Sequence, residues 1–252
     1  EESSNLSLEN DLWIYADDVQ KVAVFYIGNA ETVTIPDGIQ SIFGSAFEGC
    51  QNMVTIQLPG SLTRIGDYAF SGCTKLKNIS LASVNILGNN VFNNCSQLES
   101  VSLVSMTQFG TGIFTKCTLL SSVILPDGLI KIPDAMFADC SNLSTITLPS
   151  SVTNIGEGAF RGSGLTEIDL SNILVIGNSA FENCSMLKSI LLTDNVESIG
   201  SNIVTGCTRL ENLTMPFLNG TLSDFFGGSV PATLKHLVLT NQTNNIVEGA
   251  FQ

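Results

Sequence analysis

The 252 residues hold one histidine, one tryptophan, three tyrosines and only ten lysines and arginines. Each scarcity removes a class of function. Ten basic against 23 acidic residues leave a formal charge of −13, and no Lys/Arg cluster offsets it, so phosphate backbones and anionic lipid are repelled. Neither a nucleic-acid partner nor membrane insertion is expected. No apolar run approaches the ~20 residues of a membrane-spanning helix; Val22–Ile27 is the longest unbroken candidate near the start. His236, between Lys235 and Leu237, has neither a nucleophile nor an orienting carboxylate in its register, so it reads as a solvated side chain. Asp17-Asp18 and Glu1-Glu2 lack the Asp-x-Asp-x-Asp-Gly spacing of a calcium loop. No enzyme, metal or cofactor is expected.

What is abundant is apolar and small. Hydrophobic residues make up 44% of the chain, with 22 Gly and 14 Phe, while charged residues make up 13%, about half the usual share. Such a chain is apolar enough to fold. It is also a repeat. Val33, Ile56, Ile79, Val101, Val123, Ile146, Ile168, Ile190, Leu213 and Leu237 open ten copies spaced 22 to 24 residues apart. An aromatic follows each opening by 13 or 14 residues: Phe47, Phe70, Phe92, Phe114, Phe137, Phe160, Phe181, Phe226 and Phe251, with Val204 as the one substitute. Cysteine comes three later, as Cys50, Cys73, Cys95, Cys117, Cys140, Cys184 and Cys207, with Ser163 and Ser229 in its place twice.

The local physics of a copy follows from its pattern. Leu76-Lys77-Asn78-Ile79-Ser80-Leu81 alternates apolar and polar, which predicts a short strand with one buried face. Pro36, Pro59, Pro126, Pro149 and Pro216 end such strands. A second extended piece, such as Leu62–Ile65, runs into Gly66; Asp67 then reads as an N-cap before one helical turn. One copy cannot bury its own Ile, Phe, Cys and Leu, whereas stacked copies can, which predicts a right-handed solenoid with parallel sheet. The ends differ from the middle. Leu12–Tyr15 and Val22–Ile27 flank a polar turn, so residues 1–32 read as an N-terminal cap built on a β-hairpin, and 33–252 as the solenoid, its last copy incomplete. The opening Glu1-Glu2-Ser3-Ser4 reads as a mature chain whose signal peptide has been removed. Asn245–Phe251 offers an apolar edge where a polar cap is needed, so the natural chain is expected to continue or to bury that end.

The pattern Ile-x-Leu-Pro-x-x-Leu-x-x-Ile-Gly-x-x-Ala-Phe-x-x-Cys-x-x-Leu resembles the BspA-like leucine-rich repeat over residues 33 to 252. The resemblance implies an α/β-type leucine-rich repeat solenoid, mostly strand and coil with short helical turns. It also implies a secreted or cell-surface protein, mostly of host-associated bacteria, that acts in adhesion and binds another protein, including host extracellular proteins, without catalytic residues. A structural spacer that projects another domain from the cell surface is the alternative. A monomer is expected. Two copies depart from the pattern: Arg161-Gly162-Ser163-Gly164 loses its Cys, and Leu213–Leu234 reads Asp224-Phe225-Phe226-Gly227-Gly228.

Seven cysteines in an extracellular chain invite disulfides, but all seven share one repeat position that Ser also occupies, so they are expected to be buried, reduced thiols. Eight Asn-x-Ser/Thr sequons recur largely because the repeat favours Asn, Ser and Thr. Residues flanking each opening position should face outward on the concave strand face, as a neutral hydroxyl and amide ladder with one acidic rung, Glu167 and Asp169. Two readings stay open: a ladder chosen for strand propensity, or a protein-binding face. On the second reading the acidic rung is the contact, with Phe217 and Phe225 as apolar anchors if exposed; otherwise those two Phe fill the core of the irregular copy.

Overall fold

Two or three residues of extended chain bury almost nothing alone, so each copy needs its neighbours. A computed structural model of the chain, describing residues 5–216, 222–228 and 230–240, resolves into two compact units, Glu1–Pro126 and Asp127–Gln252. The strands of the first are β1 (Leu6–Glu9), β2 (Leu12–Ala16), β3 (Lys21–Tyr26), β4 (Thr32–Thr34), β5 (Ser41–Ile42), β6 (Thr55–Gln57), β7 (Arg64–Ile65), β8 (Ile86–Leu87), β9 (Ser100–Ser102), β10 (Gln108–Phe109) and β11 (Ser122–Ile124). Those of the second are β12 (Lys131–Ile132), β13 (Asn154–Ile155), β14 (Val175–Ile176), β15 (Ser189–Leu191), β16 (Ser198–Ile199), β17 (Asn212–Pro216) and β18 (His236–Thr240), with one helix, α1 (Leu222–Phe226).

Each unit carries two kinds of ladder. In the first, β1, β2 and β3 form an antiparallel meander, and β3 then pairs in parallel with β5, giving the seven-stranded order β1-β2-β3-β5-β7-β8-β10. The second extended piece of each copy builds this sheet. The opening positions pair separately, Val33 with Ile56 and Val101 with Val123. In the second unit the corresponding sheets are β12-β13-β14-β16 and β15-β17-β18. The strands expected around Ile79, Ile146 and Ile168 do not form; in Leu76–Leu81 only Asn78 keeps an isolated parallel bridge, to Thr55. Burial of the central residue does not decide this: Val123 is half-buried and pairs with Val101, whereas Ile79 is buried and forms no strand.

The expected helical turn after Gly is a different structure. Ser45, Tyr68, Asn90, Ala135, Ser179 and Asn202 have φ between 51° and 59°. Four residues further on, Gly49, Gly72, Asn94, Asp139, Asn183 and Gly206 are again left-handed. Only single turns fit between them, such as the Ala46 N–H on Phe43 O (3.3 Å) and the Cys50 N–H on Phe47 O (3.2 Å). A right-handed helix cannot run through residues held left-handed. Apart from α1 the described residues are therefore strand and turn, with little of the helix an α/β-type copy implies.

The core is a column of rings. Tyr26, Phe47, Phe70, Phe92 and Phe114 lie 5.2 to 5.6 Å apart between successive centroids. In the second unit Phe137, Phe160 and Phe181 follow at 5.6 and 5.7 Å. All seven Phe are fully buried, each contributing roughly 1.5–3 kcal/mol by area. Tyr26 takes the place of Phe ahead of the first full copy, and its hydroxyl accepts the Ala30 N–H at 3.2 Å. The turns also meet backbone to backbone: a Cβ on Gly66 would stand 2.7 Å from Gly44 N.

Candidate functional site

Side chains that flank a buried strand residue must face away from the core, and the opening strands present such a face in each unit. In the first unit much of it is engaged with itself. Thr32 Oγ1 and Thr55 Oγ1 are 3.1 Å apart, and the Thr34 hydroxyl donates to Gln57 Oε1 at 3.2 Å. Beside this ladder a depression of about 330 Å³ is floored by Asn78, Ser80, Ala82, Ser100, Ser102 and Ser105. Ile124 and Val104 are the exposed apolar groups near it.

In the second unit Glu167 and Asp169 flank Ile168 and are both exposed, but on irregular backbone rather than a strand. Asp169 Oδ1 accepts the Ser171 N–H at 2.9 Å, and this bond with the Ser171 hydroxyl holds the carboxyl below the usual carboxylate range. Next along the unit, the register of β15, β17 and β18 sets Ser189, Asn212 and His236 in one row and Leu191, Thr214 and Val238 in another. Leu191 and Val238 are exposed, as is His236. Lys235 Nζ lies 3.0 Å from Glu211 Oε2; that hydrogen bond, then the charges of Lys235, Lys188 and His236, keep Glu211 ionised to lower pH.

Phe225 is not available as an anchor. It is 4% exposed and packs edge-to-face on Phe226 at 5.3 Å, filling the core where the irregular copy lacks its Ile-Gly turn. Phe217 lies outside the described residues, as do Ser229, the sequon residues Asn219 and Asn241, and the apolar end Asn245–Phe251.

None of the seven cysteines is disulfide-bonded. Their thiols are more than apolar filler: Cys73, Cys95, Cys184 and Cys207 each donate to the carbonyl of the Phe one copy back, at 3.0–3.1 Å. Burial pushes Cys95 and Cys207 up to about 12 and Cys184 up to about 11. Cys50 is half-buried rather than buried as expected, because no Phe-bearing turn precedes its own.

Asp67 does not cap its own copy. Its carboxylate accepts the Asn89 N–H of the next copy at 2.8 Å, and Asn89 Oδ1 in turn accepts the Thr111 N–H at 2.9 Å. Asp134 and Asn178 do the same for Glu157 and Ser201 at 3.1 and 3.0 Å, along a cleft of about 370 Å³ that also exposes the Lys131–Asp134 pair at 2.8 Å. Among the described residues no group of three or more His, Cys, Asp or Glu is placed to hold a metal ion.

Among the described residues, the exposed aromatic side chains that the opening-strand pattern does not reach include Trp13, Phe25, Phe43 and Tyr68. One signal for them was in the sequence: Phe43 precedes Gly44 and stands where the next copies carry Gly66, Gly88 and Gly110.

A model described as BspA type leucine-rich repeat region matches residues 21–121 and 107–229 in six copies. A leucine-rich cell surface protein of Faecalibacterium prausnitzii is similar at 20% identity and a TM-score of 0.61, covering 94% of this chain and 95% of that one. A leucine-rich repeat protein of T. pallidum is 28% identical with a TM-score of 0.59, over 81% of this chain and 86% of its own. One from Bacteroides ovatus gives 23% and 0.67, over 90% of this chain and 67% of that one. No curated protein matches the sequence. No helix among the described residues is long and apolar enough to cross a membrane.

Proposed function

From the premise that the chain belongs to the BspA-type leucine-rich repeat family, we propose that it is a non-catalytic protein-interaction module, secreted or held at a cell surface, with a role in adhesion to another protein. A host extracellular protein is the partner class the family suggests, and the Faecalibacterium prausnitzii relative is itself a cell surface protein. The coils are taken as right-handed, as parallel strand–crossover–strand connections are. Residues 1–32 are taken as a cap, and the chain as a monomer.

The observation that carries this reading is the second unit's exposed residues: the carboxylates of Glu167 and Asp169, then Leu191 one copy later and Val238 two copies after that. Apolar side chains left in water beside a charged rung gain from a partner that covers one and pairs the other, with charge contributing rate and specificity. The spacer reading has its own support. Thr32–Thr55 and Thr34–Gln57 satisfy one another, and Asp169 is answered by Ser171, so part of this face serves the fold. The test is capture of a partner, followed by comparison of Glu167→Gln/Asp169→Asn with the control Thr55→Ser/Gln57→Asn. Weaker, less salt-dependent binding in the acidic variant alone supports the module; unchanged affinity and salt dependence favour the spacer.

A further inference from the structure

The meander at the start of the first unit buries one face and leaves an apolar row on the other. Leu12, Ile14, Ala23 and Ile42 point into the core. Opposite them, Leu8 pairs with Trp13 across β1 and β2, and Trp13 pairs with Phe25 across β2 and β3. The register of β2 on β3 shifts between Trp13 and Ile14; the bulge sets Phe25, not Val24, opposite Trp13. The bonds from Phe43 N–H to Ala23 O and from Tyr26 N–H to Ala46 O bring Phe43 alongside Val24–Phe25. Leu8, Trp13, Phe25 and Phe43 are exposed by 48%, 38%, 53% and 62%. At ~4.8 Å per strand they line about 14 Å across four strands.

The fold does not require this row. The position of Phe43 is glycine in the next three copies, and those turns form without a side chain there. Large apolar groups gathered in water mark a contact surface, and aromatic residues are the usual anchors of one. The surroundings select the partner's charge. Between Asn5 and Phe43 the chain holds six acidic residues, Glu9, Asp11, Asp17, Asp18, Glu31 and Asp37, against one basic residue, Lys21. Glu9 and Lys21, 4.0 Å apart, lie on the other face of the sheet, since Glu9 pairs with the buried Leu12. Asp17 is fixed in the β2–β3 turn, where its carboxylate accepts the Val19 and Gln20 N–H groups at 2.8 and 2.7 Å and the Tyr15 hydroxyl at 3.0 Å. A second copy would bring the same acidic segment against itself, and an anionic surface would be repelled.

We propose that the row Leu8–Trp13–Phe25–Phe43, with the acidic turn at the end of the β2–β3 hairpin, is a docking surface for a cationic amphipathic segment of another protein. The apolar side of such a segment covers the row, and its Lys or Arg residues meet the carboxylates or lie over the ring faces. A length of about 14 Å accommodates roughly nine residues of helix. This surface is separate from the Glu167–Asp169 face and stands or falls independently of it.

Trp13 is the only tryptophan, so its emission reports on the row directly. A Leu/Lys amphipathic helical peptide should shift that emission to shorter wavelength, with affinity falling as salt rises. Its Leu/Glu counterpart should leave the emission unchanged. Phe25→Ser/Phe43→Ser, at two exposed positions, should keep the melting temperature and weaken the peptide at least tenfold. Asp18→Asn should weaken it and flatten the salt dependence, whereas Glu9→Gln, on the other face, and Glu167→Gln/Asp169→Asn should change nothing. Equal binding by the double Phe variant, equal binding of the Leu/Glu peptide, or an unmoved Trp13 emission each overturns the proposal. So does self-association in sedimentation that Phe25→Ser/Phe43→Ser abolishes, which would make a second copy the occupant.

Discussion

The thiol of Cys95 donates to the backbone carbonyl of Phe70 at 3.1 Å, and that carbonyl also accepts the Cys73 N–H at 3.1 Å. One oxygen thus ties a turn to itself and to the next copy. Cys95→Ser keeps a donor, and serine already stands at the equivalent position as Ser163, 3.4 Å from Cys184 Sγ. Cys95→Ala removes the donor and leaves a sulfur-sized void. Loss of the bond should cost about 0.5–1.5 kcal/mol, with the void adding to it. Chemical denaturation should rank wild type, Ser, then Ala; an Ala variant as stable as Ser would show that the bond contributes nothing.

Phe92 stands between Phe70 and Phe114, 5.6 and 5.5 Å away and nearly parallel to both. Phe92→Ala should destabilise by ~3–5 kcal/mol, while an exposed change such as Lys77→Ala should stay within about 0.5 kcal/mol. Equal melting temperatures for the two would sink the stacked-ring core.

Thiol labelling of the folded chain should modify Cys50 and spare the six buried cysteines, with all seven reacting after denaturation without reductant. Mass spectrometry after labelling identifies the site. Label on Cys95 in the native state, or a disulfide in the denatured chain, contradicts the arrangement.

The buried thiols also set an alkaline limit. Cys95, Cys184 and Cys207 lose their protons in the fold only at about 12, 11 and 12, whereas an unfolded cysteine does so near ~8.5. Between those values the unfolded chain has shed protons that the folded chain keeps, so stability falls as pH rises. The contribution is fully present below about pH 8.5 and is lost as pH climbs toward the folded values. Melting temperatures measured from pH 8 to 11 should decline, and Cys95→Ser/Cys184→Ser should flatten the decline. A profile unchanged by those substitutions points to other groups.

Gly66→Ala tests the close approach of turns. The new Cβ would sit 2.7 Å from Gly44 N and 3.0 Å from the Phe43 carbonyl carbon, and both are backbone atoms that cannot swing aside. A cost of ~1–3 kcal/mol is expected, against almost none for Gly60→Ala, where the space is open.

The period, the Phe and Cys ladders and the inward Leu were legible because each occupies one buried position per copy, and burial admits few residue types. The backbone between them was not. Tyr68, Ala135 and Lys116 take left-handed φ, and nothing in a Tyr, Ala or Lys announces it, whereas Gly72 and Asn94 would. Asp67 looks like a local cap in sequence because its partner, Asn89, lies a whole copy away. Glu167 and Asp169 could be read as outward-facing from alternation alone. That their segment is not a strand rests on backbone pairing with its neighbours, which alternation does not report. Phe225 is ambiguous in sequence because an extra Phe in an irregular copy suits a core or a surface equally; burial decides it.

Each Asp67–Asn89 or Cys95–Phe70 contact joins a residue to one about a full copy distant, and the donor and acceptor sets recur from copy to copy. A turn is therefore a cassette with matching upper and lower faces. Excising a whole copy, such as residues 79–100, would set the turn of Phe70 against that of Phe114 with like groups meeting like. Copies of 22, 23 and 24 residues keep this match, so a one-residue difference is absorbed within a turn. Recombination between copies can lengthen or shorten such a gene in whole turns without redesigning a contact, so length is a trait this architecture can vary cheaply while its cross-section stays constant.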